Sequence, residues 1–106
     1  MLVITRFRVP AAEAEGFRAD VLLALDLLGQ RPGFEDGHVG RNVDDPDLWV
    51  LQTRWESVGT YRRALSSTEI KMRVHPLLYR ALDEPSAYEV LEPGTDLNVA
   101  EPRSLR

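Results

Sequence analysis

A chain of 106 residues, 43% hydrophobic and 28% charged, has the size and makeup of one globular domain with a two-layer core. It has no cysteine, which excludes disulfides, thiolate metal sites and a cysteine nucleophile, and its net charge of −4 argues against nucleic acid held by general phosphate attraction. No stretch approaches the roughly 20 apolar residues of a membrane span, and Arg6 and Arg8 interrupt the short apolar run at Met1, so neither a membrane segment nor an export signal is expected and the cytoplasm is the expected location.

Leu2 to Val9 alternates as a strand, with Val3, Thr5, Phe7 and Val9 as the better core face. Leu2, Ile4, Arg6 and Arg8 form the other face, and the two arginines are expected at a sheet edge or an interface rim. Pro10 stops the strand and presets a helix over Ala11 to Gln30. Phe17, Val21, Leu25 and Leu28 give that helix its apolar stripe, and Leu22, Leu23 and Leu27 widen it. Gly29 and the Pro32-Gly33 pair end it. Phe34 to Val43 reads as a second strand whose Gly37 and Gly40 suggest a bulge or a close backbone approach. The turn Asp44-Asp45-Pro46-Asp47 should join it to the next strand as an antiparallel hairpin.

Leu48 to Trp55 is the most informative stretch. Its four unbroken apolar residues, Leu48 to Leu51, suggest burial on both faces. Trp49, Leu51, Thr53 and Trp55 share one face. Ser57 is placed to cap a following helix, on which Tyr61 and Leu65 share a side. Ser66 to Glu69 fits a second cap, with Ser66 as N-cap, so this helix should be broken. Pro76 should break it again and bias His75 away from helical backbone. A short last strand is expected over Ser86 to Leu91. Residues 1–92 form the expected domain, and 93–106, with Pro93, Gly94 and Pro102, an extended or disordered tail.

The order β-α-β-β-α-β predicts an α+β, ferredoxin-like fold with a four-stranded antiparallel sheet and helices on one face. If the Trp49 set faces the helices, Leu2, Ile4, Leu48 and Val50 lie on a bare apolar face. Such a face predicts a partner, most simply a second copy packed sheet to sheet as a dimeric α/β barrel.

The arrangement resembles the antibiotic biosynthesis monooxygenase (ABM) domains of the dimeric α/β-barrel group. The resemblance rests on the opening strand and Phe17 helix, Pro32-Gly33-Phe34, the Asp44-Asp45-Pro46 turn, Arg54-Trp55-Glu56-Ser57 with Tyr61 and Leu65, and Tyr88-Glu89-Val90. It implies a homodimer that takes an aromatic or polyketide-like molecule, and, in the family's oxygenases, chemistry without a bound cofactor. Family members often carry a histidine where this chain has Ala64. The haem-degrading branch implies haem as an alternative ligand. At the places of that branch's asparagine, tryptophan and haem-ligating histidine, the chain has Phe7, Ala64 and, within one residue, His75.

The residues themselves leave three readings open. Phe7, Trp49, Trp55 and Tyr61 fit either a core or the walls around a flat aromatic ligand. Phenolate-forming oxygenation needs an apolar cavity and a base or hydrogen bond, for which His75, Tyr61, Tyr79 and Arg54 are the polar candidates. His75 and Tyr61 are the expected catalytic pair, and Phe7, Trp49, Trp55, Tyr79 and Arg54 the expected substrate contacts. His75 also reads as a haem ligand, as a cap or as a surface residue. His38, beside two glycines, reads as exposed. Two histidines do not make a metal site, and no metal is expected. The third reading is a dimeric binding or structural protein without catalysis.

Overall fold

The structure is a computed structural model that describes residues 1–97. Four strands, β1 (Leu2–Arg8), β2 (Phe34–Arg41), β3 (Leu48–Trp55) and β4 (Ala87–Tyr88), form one antiparallel sheet in the order β2-β3-β1-β4. The helices are α1 (Ala14–Gly29), α2 (Val58–Ser66), α3 (Thr68–Arg73) and α4 (His75–Leu78). The fold is the expected α+β, ferredoxin-like one, with the helices on one face of the sheet.

The faces follow from register. Val3 pairs with Thr53, Thr5 with Leu51 and Phe7 with Trp49, so these six side chains point to the same side, and all six are buried. Phe17, Val21, Ala24, Leu27 and Leu28 of α1 close on them, joined by Ile70 of α3, Leu77 of α4 and Val74 between those two helices. Leu2, Ile4, Leu48 and Val50 lie on the opposite face and are only half-buried, as the alternation predicts. Leu22 and Leu23 are not core: they are 48% and 44% exposed, because the α1 stripe is centred on Phe17, Val21 and Leu28.

β1 lies between β3 and β4 only at Leu2 and Val3; beyond them it is the sheet edge, so Arg6 and Arg8 do stand at an edge, as expected. Several other local expectations are corrected. The first helix starts at Ala14, after a 3₁₀ turn over Ala11–Glu13. Ser57 does cap α2, in a reciprocal capping box with Thr60. The second cap is Ser67 rather than Ser66: its hydroxyl accepts from the Ile70 N–H, while Ser66 still belongs to α2. His75 is helical, since Pro76 falls in the first turn of α4, where its missing N–H costs no hydrogen bond. The last strand shrinks to Ala87–Tyr88, which meets β1 only at Val3 and Leu2. Of the expected tail, residues 93–97 include a turn in which Thr95 Oγ1 accepts from the Glu92 N–H, and 98–106 lie outside the described residues.

The link from α1 to β2 depends on one glycine. Arg31 accepts from the Phe34 N–H across Pro32-Gly33, and Gly33 has φ +90°, as the third residue of a type II turn requires. A Cβ on Gly33 would stand 2.3 Å from Thr60 Cβ, in the capping box of α2. The suspected close approach in β2 occurs at Gly37, where a Cβ would meet Leu25 Cδ1 at 2.7 Å, and the bulge lies between Phe34 and Asp36. Gly33→Ala should therefore lower stability by about 3 kcal/mol, from left-handed backbone plus overlap. Gly16→Ala, on α1 with nothing within 4 Å, should raise it by about 0.5 kcal/mol. Urea unfolding of both variants checks the contrast.

Candidate active site

Past Val3 the sheet edge along β1 is covered by an irregular strap rather than by a strand. The strap is pinned where Ser86 accepts from the Ile4 N–H at 2.7 Å and where the Leu82 N–H donates to Arg6 at 2.8 Å. Between strap, sheet and helices lies a cavity of about 410 Å³, in the range of small-molecule sites. Ile4, Thr5 and Arg6 of β1 form its floor, and Tyr61 and Leu65 of α2 one wall. His75, Leu78 and Tyr79 form a second wall, and Ala81, Leu82, Glu84 and Ser86 of the strap the third.

His75 is held by a helix end. α2 stops because Ser67 takes extended backbone, with ψ 146°. Ala64 then accepts from both the N–H and the hydroxyl of Ser67, and the next carbonyl, of Leu65, is left without a helical partner. His75 Nε2 lies 3.1 Å from it. A carbonyl only accepts, so Nε2 carries the proton and Nδ1 the lone pair. The ring of Tyr79 meets the imidazole edge-on at 6.0 Å, and Tyr79, 77% exposed, stands where the cavity reaches solvent.

Tyr61 is the second polar group. Burial pushes its phenol up to about 12, so at neutral pH it is an O–H donor and not a phenolate base. Its hydroxyl has no hydrogen-bond partner among the described residues. At the strap, Arg6 donates from Nε and Nη2 to the two carboxylate oxygens of Glu84 at 2.6 and 2.8 Å. These hydrogen bonds, then the charge itself, hold the Glu84 carboxyl below its ordinary value and raise the Arg6 guanidinium.

Of the seven residues singled out from sequence, Tyr61, His75 and Tyr79 come together on the cavity. The others do not line it. Phe7 is a core residue, 5.0 Å from the ring of Phe17. Trp49 is buried between the edge of Phe17 at 5.3 Å and the guanidinium of Arg41 at 5.5 Å, and its indole N–H has no partner among the described residues. Trp55 is fully buried, donates to Thr53 Oγ1, and packs at 5.4 Å behind the Tyr61 ring. Arg54 lies on the opposite sheet face, paired with Asp36 at 2.6 Å. His38 is exposed on that face too. Ala64 is buried and does not line the cavity. The sequence reading missed Glu84 and the site role of Arg6, because their pairing spans 78 positions. Among the described residues no three His, Asp or Glu side chains converge on a point, and no helix is long and apolar enough to cross a membrane.

The sequence model of the antibiotic biosynthesis monooxygenase family matches residues 1–74, and the chain belongs to that family. No functionally curated protein matches it by sequence. Among solved structures, the chain is similar to a Deinococcus radiodurans protein assigned to the same family, with TM-score 0.70 and 16% identity over 95% of this chain and 100% of that one. It is also similar to SnoaB, a cofactor-independent oxygenase from Streptomyces nogalater, with TM-score 0.69 and 21% identity over 86% and 92%. A conserved protein from Methanosarcina mazei Go1 superposes with TM-score 0.66 and 19% identity over 81% and 84%. At these identities the likeness is one of fold.

The Arg6–Glu84 pair gives the site an acid limit. A carboxyl held below its ordinary value of 4.5 in the folded state stabilises that state above this value and loses the contribution as pH falls through the depressed one. Glu84→Gln should therefore be less stable than the parent at neutral pH. The gap should close as pH is lowered below about 4.5. Thermal melts of both proteins across that range check this.

Proposed function

We propose that this family member is a cytoplasmic homodimer that binds a flat aromatic or polyketide-like molecule in the β1–strap cavity and oxygenates it without a bound cofactor. The observation that carries the reading is the cavity itself, apolar along Ile4, Leu65, Leu78 and Leu82, with His75 and Tyr61 both reaching it. His75 Nδ1, left with its lone pair, takes a proton from an acidic phenol or from a ring CH₂ activated by a neighbouring carbonyl. The resulting anion is stabilised by the Tyr61 O–H donor. It reduces dioxygen by one electron, and the two radicals join in a C–O bond. The peroxide then takes up a proton and loses water as the O–O bond breaks. For a CH₂ centre the sum is R₂CH₂ + O₂ → R₂C=O + H₂O, and the oxidant is dioxygen alone.

Haem is the weaker reading. The Nε2 of His75 that would bind iron is engaged by the Leu65 carbonyl, so the residues present fit a haem poorly. With anthrone as the trial substrate, oxygen uptake should fall by a factor of about 10²–10³ in His75→Ala. In Tyr61→Phe it should fall about tenfold, the loss of one hydrogen bond to a developing charge. Unchanged rates in both variants would overturn the assignment of His75 and Tyr61, and a parent that takes up no oxygen would favour the non-catalytic reading.

Dimerisation is proposed from the face opposite the helices. Leu2, Ile4, Leu48 and Val50 are half-buried there, with Tyr88 48% exposed beside them. Around them Arg6, Arg8 and Arg54 are already paired with Glu84, Asp45 and Asp36, so a two-fold copy meets apolar surface framed by balanced charge. Light scattering should report two copies of the 12.0 kDa chain, and Val50→Glu should give one. A parent protein that is monomeric at micromolar concentration would remove this part of the proposal.

A further inference from the structure

The inference rests on the cavity being the ligand site and concerns what that ligand carries. Among the described residues, Arg6 and Glu84 are the charged side chains that line the cavity, with His75 the other group able to take a charge. One edge of the Arg6 guanidinium, Nε and Nη2, is spent on the two oxygens of Glu84. Both N–H groups of Nη1 remain, and they have no partner among the described residues. The guanidinium is thus neutralised in charge but not exhausted in donors.

That distinction selects between ligands. A lone arginine in an apolar cavity would draw a carboxylate, the anion its fork fits. Arg6 is already matched, so a second carboxylate at its free edge would face Glu84 across the width of one guanidinium, and like charges there repel. A neutral carbonyl oxygen accepts from the same N–H groups without that repulsion.

We infer that Glu84 is a specificity-determining residue, which by neutralising Arg6 makes the cavity take aromatic ketones and quinones and turn away the same ring systems bearing a carboxylate. Arg6 holds the carbonyl. Glu84, acting through Arg6, is a positioning residue that sets the sign of the selection.

A dihydroxyanthraquinone, danthron, and its carboxylate counterpart, rhein, form a probe pair that differs by the group in question. Visible-absorbance titration at neutral pH and low salt should show the parent binding danthron about tenfold tighter than rhein, a modest share of a like-charge repulsion in a half-open site. Glu84→Gln leaves Arg6 uncompensated and should erase or invert that ratio. Glu84→Asp keeps the carboxylate and should keep the preference. Arg6→Gln should weaken danthron binding. A change in the ratio between two probes is not what mere loosening of the strap would produce. Parent protein that binds rhein as tightly as danthron, or a ratio that Glu84→Gln leaves in place, would overturn the inference while the cavity stands as a ligand site. Parent protein that binds neither probe would overturn both.

Discussion

The pairing of β1 with β3 is the constraint on which the rest depends. Its register sets Phe7 against Trp49 and Thr5 against Leu51. A slip of one residue would turn the core set of one strand to the other face of the sheet while the other strand kept its own. The helices would then meet either Ile4 and Arg6 of β1 or Val50 and Arg54 of β3, and a guanidinium would be buried without water. The penalty for that error is what makes the register unique. It also fixes the site, because the residue that carries Arg6 to the cavity floor lies between two that carry Thr5 and Phe7 into the core.

The cavity exists because two regular elements fail next to one another. β4 pairs with β1 for only two residues, and the strap that replaces it stands off the sheet edge between Leu82 and Ser86. Opposite, the helical segment is broken at Ser67 and again at Val74, each break turning the chain before the next short helix. Had the strand continued, its side chains would have filled the space beside β1. Had the helix run on unbroken, the Leu65 carbonyl would have been bonded within it and His75 would have lost its anchor. The open space and the oriented imidazole therefore have related local causes.

This explains which parts were legible in the sequence. Strand alternation and the α1 stripe are short-period patterns, and they placed the sheet, its two faces and the core residues Phe17 and Val21 correctly. The helix break was legible too, one residue early, because Ser66 and Ser67 present nearly the same capping chemistry. His75 was read against helix from the backbone preference before proline, which yielded here to an N-terminal turn that tolerates Pro76. Aromatic residues misled in a consistent way. Phe7, Trp49 and Trp55 are large and apolar, which suits a pocket wall and a core equally, and only the sheet register decides between them. Glu84 carried no signal, since an acidic residue beside a proline reads as a turn until Arg6 is brought to it through space.

The electrostatics of the cavity divide its polar groups by what each can do with a proton. Tyr61, raised by burial to about 12, keeps its proton near neutral pH and serves as a donor. Glu84, held low by Arg6, is a poor base, because the pairing that keeps it ionised also removes its appetite for a proton. His75 presents an imidazole with Nε2 fixed on the Leu65 carbonyl and Nδ1 free. Its orientation comes from a backbone carbonyl that exists as an acceptor only because the helix before it ends. The fold supplies the cavity through its irregularities, and the same irregularities orient the imidazole that lines it.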